Sequence, residues 1–411
     1  MNNRSNLLIT IIFIYIILEL INYNKYKKKV KYFNNNFPLS DFIDSSDELK
    51  QSGELKQSDE FQKYLKNNIL QLNTNRARKI FKLFGYINND NQLTDEKILE
   101  FIKQSHSINF LNNKIINNKI DSIYKPLFLY WIMCIFFFIG KIIFFINGFK
   151  LEQYEISEEN YNIWIYNVPN TKPIIFFPSL GVGAMQYMYM AKNLNRTIYM
   201  IEVPNINCVT SITYNYMTQE TLKKVVFENI LYKYHKTINN KIDYTLMGHS
   251  FGTIVASIFH NSLTNESKKD ILPSNFILVD PVSIVENYIE NIMLPFFKIN
   301  DYFKFSKLNR PKISIFLWTI IMYYAIKDIN FQIYCKRYYI PYQGTLWKHH
   351  DNVKYLYILG SNDFLINNKI NIELLKKNET KNCKFHFVKN GDHVDCILGS
   401  NNIFEFIKKN L

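Results

Sequence analysis

The chain has 411 residues, 47% hydrophobic and 16% aromatic, with only 20% charged. That composition excludes a disordered chain and leaves room for a large core and membrane segments. The formal net charge of +14 comes with lysine, asparagine and isoleucine abundant throughout; without an arginine stripe or a nucleic-acid motif it argues against a nucleic-acid partner.

Residues 7–21, LLITIIFIYIILELI, are about long enough to cross a bilayer, with Glu19 near one end. The basic run KYKKKVK follows, and no small-residue cleavage site does, which predicts an uncleaved membrane anchor over 1–24. A buried N-terminal helix is the alternative. Lysines on the C-terminal side would keep residues 22 onward in the cytosol.

Residues 25–125 read as a polar linker and a small helical region. The linker contains the tandem repeat ELKQS, and LTDEKILEFIKQS opens on Thr94 as an N-cap with acids in the first turn. The basic patch of Arg76, Arg78 and Lys79 reads as a solvated face, with a lipid-headgroup contact as the sharper alternative.

A second membrane-associated segment is expected over 126–147, PLFLYWIMCIFFFIGKIIFFIN, interrupted by Lys141. It either spans the bilayer or dips into one leaflet, and the lysine weighs against a full span. Five scattered cysteines, none in a CxxC pair, predict free thiols rather than a disulfide framework or a zinc site.

From 148 to 411 the pattern changes to strands alternating with helices. IWIYNVP, KPIIFFPSL, RTIYMIEVP, DYTLMG, NFILVDP, KYLYILG and CKFHFVKNG read as strands. GAMQYMYMAKNL, TQETLKKVVFENILYKYH, FGTIVASIFHNSL and IFEFIKKNL read as helices. Continuous apolar strands between helices predict an α/β fold with a mostly parallel sheet covered on both faces. Residues 282–349, aromatic and helical, break the rhythm and are expected to form a cap insertion at the C-terminal edge of the sheet.

Gly248-His249-Ser250-Phe251-Gly252 matches G-x-S-x-G with a strand before it and a helix after it. Gly248 and Gly252 suit a tight elbow in which bulky side chains would clash. A serine hydroxyl needs a base, and the base needs an acid. Asp363 and His393 each follow a later strand, in the order serine, acid, histidine. Asp280, also at a strand end, is the alternative acid. His249, beside the serine, is expected to pack and hydrogen-bond rather than act as the base. The oxyanion donors are expected to be the N–H of Phe251 and a second N–H from the turn after IIFF, where Leu180 and Gly181 are the candidates.

These residues resemble the α/β-hydrolase superfamily over about 151–411. LVDPVS and the later KDINFQIYCKRYYIPYQGTLW are similar to a membrane-associated branch of that superfamily with a cap segment ahead of the last two strands. The resemblance implies a hydrolase with no agreed substrate, and no cofactor and no metal are expected. The HGGG loop of lipases is replaced by Pro178-Ser179-Leu180-Gly181. The expected activity is a membrane-associated serine hydrolase cleaving an ester, lipid-derived by the membrane segments and the aromatic cap. An acyltransferase using the same acyl-enzyme and a non-catalytic membrane scaffold are the alternatives.

Overall fold

The computed structural model describes residues 2–35, 122–156, 159–181, 183–204, 206, 217–234, 243–264, 271–284, 324–325, 327–334, 344–346, 349–363, 366, 368, 371–372, 375, 381–391, 393 and 401–411. The ELKQS repeat, the helical region around Thr94 and most of the cap insertion lie outside these residues.

Among the described residues, two helices precede the sheet. Helix α1 (Asn2–Asn35) runs through the apolar stretch and on through the basic run, beyond the anchor expected to end at 24. Helix α2 (Leu127–Ile146) is long and apolar enough to cross a membrane. The two lie antiparallel, since contacts step forward along α1 as they step back toward and past the start of α2. Tyr15 meets Trp131 at a ring distance of 5.9 Å, Glu19 accepts the Leu127 N–H at 2.9 Å, and Tyr26 donates to the Ser122 carbonyl at 2.8 Å. Glu19, the acid within the apolar stretch, thus sits at the N-terminus of α2, where negative charge is favoured. Trp131, Phe136, Phe138 and Ile146 of α2 point outward.

The eight strands among the described residues form one sheet in the order β1-β2-β4-β3-β5-β6-β7-β8. They are β1 (Lys150–Ile156), β2 (Glu159–Tyr166), β3 (Ile174–Phe177), β4 (Ile198–Glu202), β5 (Thr245–His249), β6 (Asn275–Val279), β7 (Lys354–Gly360) and β8 (Cys383–Val388). β2 pairs antiparallel with β1 and β4, and the remaining neighbours are parallel. β1 does not stand out in the sequence: it is an edge strand of mixed polarity, KLEQYEI, with no fully buried residue.

Successive side chains of a strand face opposite sides of the sheet, so β3, buried at all positions, feeds two cores. Ile175 and Phe177 face one layer, with Val226 and Ile230 of the helical stretch after α4 (Gln219–Lys223) and Ile254 and Phe259 of α5 (Phe251–Thr264). Ile174 and Phe176 face the other, with Met190 and Leu194 of α3 (Met188–Leu194) and Phe404 and Ile407 of the C-terminal helix Asn401–Asn410.

The end of α2 joins this second layer. Phe144 is buried against Trp164 at a ring distance of 4.7 Å, and a Cβ on Gly140 would fall 2.0 Å from Met185 Sδ. Lys141 lies on this docked side, half-buried, and its charge reaches buried Glu202. Glu202 also accepts the Ala184 N–H at 2.8 Å and the Asn162 side-chain amide at 3.2 Å. Burial raises its carboxyl above the usual range, while these contacts and Lys141 pull it down.

The strand order, in which β2 alone of the described strands runs against the other seven, is that of the α/β-hydrolase fold.

Candidate active site

The candidate site forms where β5, β6 and β7 end. β5 passes into α5 through a turn whose middle residue, Ser250, has φ 51°. That left-handed conformation is uncommon outside glycine. It is held from both sides: the Ser250 N–H donates to the Val279 carbonyl at 2.9 Å, and its own carbonyl accepts from the Thr253 hydroxyl at 2.6 Å. The glycines are required by contact. A Cβ on Gly252 would lie 2.0 Å from the Phe177 carbonyl oxygen, and one on Gly248 would lie 2.7 Å from that of Gly252. The elbow therefore presses directly on the end of β3.

Three of the predicted residues come together here. The Ser250 hydroxyl meets His393 Nε2 at 2.7 Å, and His393 Nδ1 meets Asp363 Oδ2 at 2.8 Å. The other Asp363 oxygen accepts the Ile366 N–H at 3.0 Å, which fixes the carboxyl. All three side chains are almost fully buried. A carboxylate facing Nδ1 selects the tautomer with Nδ1–H, leaving Nε2 free to accept from the serine.

Asp280 is close but differently engaged. It is fully buried with φ 43°, and its Oδ1 accepts the Gly360 N–H at 3.1 Å. Its Oδ2 lies 3.8 Å from His249 Nε2, beyond hydrogen-bond length. One ligand atom each of Asp280, Asp363 and His393 falls within 4.8 Å of the others. A cation there would have to take His393 or Asp363 from the pairing just described.

Phe251 is the first residue of α5, where N–H groups have no partner within the helix. Its ring packs on Phe331 of helix α6 (Ile329–Ile333), in the cap region, at 5.0 Å. Of the two candidates in the turn after β3, Gly181 donates its N–H to the Ile206 carbonyl at 3.2 Å. The Leu180 N–H has no partner among the described residues, which favours it as the second donor.

Two residues had no catalytic signature in the sequence. Tyr187 and His249 lie beneath the elbow, joined at 2.8 Å, and His249 Nε2 reaches the His393 carbonyl oxygen at 3.1 Å. Burial and the neighbouring His393 push the His249 imidazole down to about 3, so it is neutral. Only their meeting across the folded sheet reveals them.

No protein-family profile matches the chain, and no curated protein matches it. Solved structures do. A protein of Acinetobacter baumannii provisionally described as a lipase is 17% identical, with a TM-score of 0.47, covering 67% of this chain and 95% of its own. A bacterial membrane phospholipase A is 12% identical, with a TM-score of 0.45, covering 69% and 97%. An α/β fold family hydrolase of Bacillus anthracis is 12% identical, with a TM-score of 0.44, covering 64% and 99%. With all of these TM-scores below 0.5, the α/β-hydrolase assignment stands on this chain's own strand order and elbow.

Proposed function

We propose that the protein is a membrane-associated serine hydrolase that cleaves a carboxylic ester, with Ser250, His393 and Asp363 as its catalytic triad. The observation that carries this reading is the pair of hydrogen bonds from Ser250 to His393 and from His393 to Asp363, 2.7 and 2.8 Å long.

In this mechanism Ser250 Oγ forms a bond to the acyl carbon while His393 Nε2 takes its proton. The carbonyl π pair moves onto oxygen, and the N–H groups of Phe251 and Leu180 hold the resulting oxyanion. Asp363 stabilises the imidazolium through Nδ1–H. As the tetrahedral species collapses, the C–O bond to the alcohol breaks and His393 gives the alcohol its proton. Water, deprotonated by the same imidazole, then attacks the acyl-enzyme and releases the acid and free Ser250. No cofactor takes part.

The hydrolase unit is 148–411 with the cap insertion at 282–349, preceded by membrane segments at 1–24 and 126–147. The outward aromatic face of α2 and the antiparallel packing of α1 support membrane association. A lipid-derived ester is the reading supported by the link from the membrane-associated helices to the covering of the site. Helix α6 of the cap covers Phe251 on one side and holds Lys29 of α1 on the other, through Asn330 at 2.8 Å. The test is hydrolysis of lipid esters dispersed in detergent micelles. Wild type should release free acid and Ser250→Ala should not; equal release from both would remove Ser250 from the mechanism.

A further inference from the structure

We propose that Tyr187 and His249 are a positioning pair that fixes the oxyanion turn and the base relative to Ser250. The inference rests on the serine-hydrolase reading and adds to it the device that holds its parts in register.

The direction of each hydrogen bond can be worked out. The His393 carbonyl oxygen can only accept, so His249 Nε2 carries a hydrogen and donates at 3.1 Å. In a neutral imidazole the other nitrogen, Nδ1, can then only accept. Tyr187 must therefore donate its single hydroxyl hydrogen there, at 2.8 Å. With that hydrogen committed, the Tyr187 oxygen accepts twice, from the Ser179 N–H at 2.9 Å and from the Gln186 side-chain amide at 2.9 Å. A single directional chain results, from the Ser179 N–H through Tyr187 and His249 to the backbone of His393.

Its ends matter. Ser179 directly precedes Leu180, the proposed oxyanion donor, and on the other side of Leu180 the Gly181 N–H is tied to Ile206 at 3.2 Å. His249 directly precedes Ser250. Donor turn, nucleophile and base thus share one network. Tyr187 is fully buried and His249 and His393 are 3% exposed, which leaves little room for water to substitute for a lost partner. Burial raises the Tyr187 phenol, so it stays protonated. The depressed basicity of His249 keeps a second cation away from His393, 5.5 Å between ring centroids, when His393 takes the serine proton.

The test uses the full-length protein in detergent. Tyr187→Phe keeps the ring that packs on Phe176 at 4.7 Å and removes only the hydroxyl. His249→Leu removes both nitrogens, and His249→Gln restores a donor toward His393. The first two should lower kcat by about 10–100-fold with little change in KM, the scale expected of misplaced groups; His249→Gln should recover most of the loss. The downfield proton resonance of His393 Nδ1–H should be sharp in wild type and broadened in Tyr187→Phe and His249→Leu. Wild-type kcat in both variants, with that resonance unchanged, overturns the positioning role while leaving the hydrolase reading intact. An inactive wild type sinks the hydrolase reading alone, and the resonance then decides the positioning role by itself. If His249→Leu does not fold, Tyr187→Phe decides.

Discussion

Lys125 and Asp328, 203 residues apart, form a buried ion pair with Nζ 2.5 Å from Oδ2. Lys125 lies just before α2, and Asp328 is the N-cap of α6, where its Oδ1 accepts the N–H groups of Asn330 and Phe331. Because Phe331 packs on Phe251, the pair joins the apolar helices to the covering of the candidate site. Removing Asp328 takes from buried Lys125 its facing carboxylate and from α6 its N-cap. Asp328→Ala should cost about 3–5 kcal/mol, and a Lys125→Met, Asp328→Asn double variant, which keeps the capping oxygen, should regain most of it. Thermal unfolding in detergent measures both. A loss below about 1 kcal/mol in the single variant would assign the pair the worth of a solvated surface contact.

The elbow strain has its own signature. Ser250→Ala and Ser250→Gly both lose the hydroxyl, but only the alanine keeps a Cβ at φ 51°. The glycine variant should be the more stable of the two by about 1 kcal/mol, the reverse of the usual order. Equal stabilities, or a more stable alanine, would argue that the turn carries no strain.

The two acids separate by substitution. Asp363→Asn should lower kcat by about 10⁴-fold, because the amide no longer selects the productive imidazole tautomer. Asp280→Asn should cost far less, since Oδ1 can still accept the Gly360 N–H. The opposite ranking would make Asp280 the working acid.

A second histidine group sits away from the elbow. His260 Nε2 meets the Tyr355 hydroxyl at 3.1 Å, His349 Nε2 meets that of Tyr357 at 2.6 Å, and His350 lies 5.6 Å from His260. Burial, then the charge of His350, pushes His260 down to about 3 and His349 down to about 4. Below pH 6.5 the unfolded chain binds these protons and the folded one does not, so stability falls as pH drops from 6.5 toward 4. Each group contributes on the order of 3 kcal/mol between pH 7 and pH 4. His260→Gln keeps an acceptor for Tyr355 and does not titrate, so its unfolding temperature should fall less steeply over that range. An unchanged slope would remove His260 from the transition.

Much of the architecture is legible along the chain because parallel strands are buried on both faces. IIFF, YTLMG and FILV stand out as short apolar runs. Ser250 and Asp363 are legible for a related reason: each follows such a strand, and strand ends converge at one edge of a parallel sheet; His393 follows the half-buried edge strand β8 and is legible by its order after the serine and the acid. β1 is not, because an antiparallel edge strand keeps polar residues on its open side. Glu19 looks like a defect in an apolar run until Leu127 and Tyr124 are placed beside it. Tyr187 and His249 are 62 residues apart, and His249 fills a variable position of the elbow motif that does not name its partner, so their hydrogen bond exists only once β3 and β5 lie side by side.

The central claim is that Ser250 is a nucleophile activated by His393. A fluorophosphonate probe reports this directly, since it forms a stable phosphonyl ester with an activated serine. Wild-type protein in detergent should gain one adduct, mapped by peptide mass to Ser250, and both Ser250→Ala and His393→Ala should stay unlabelled. An unlabelled wild type, or an adduct on any other residue, would contradict it.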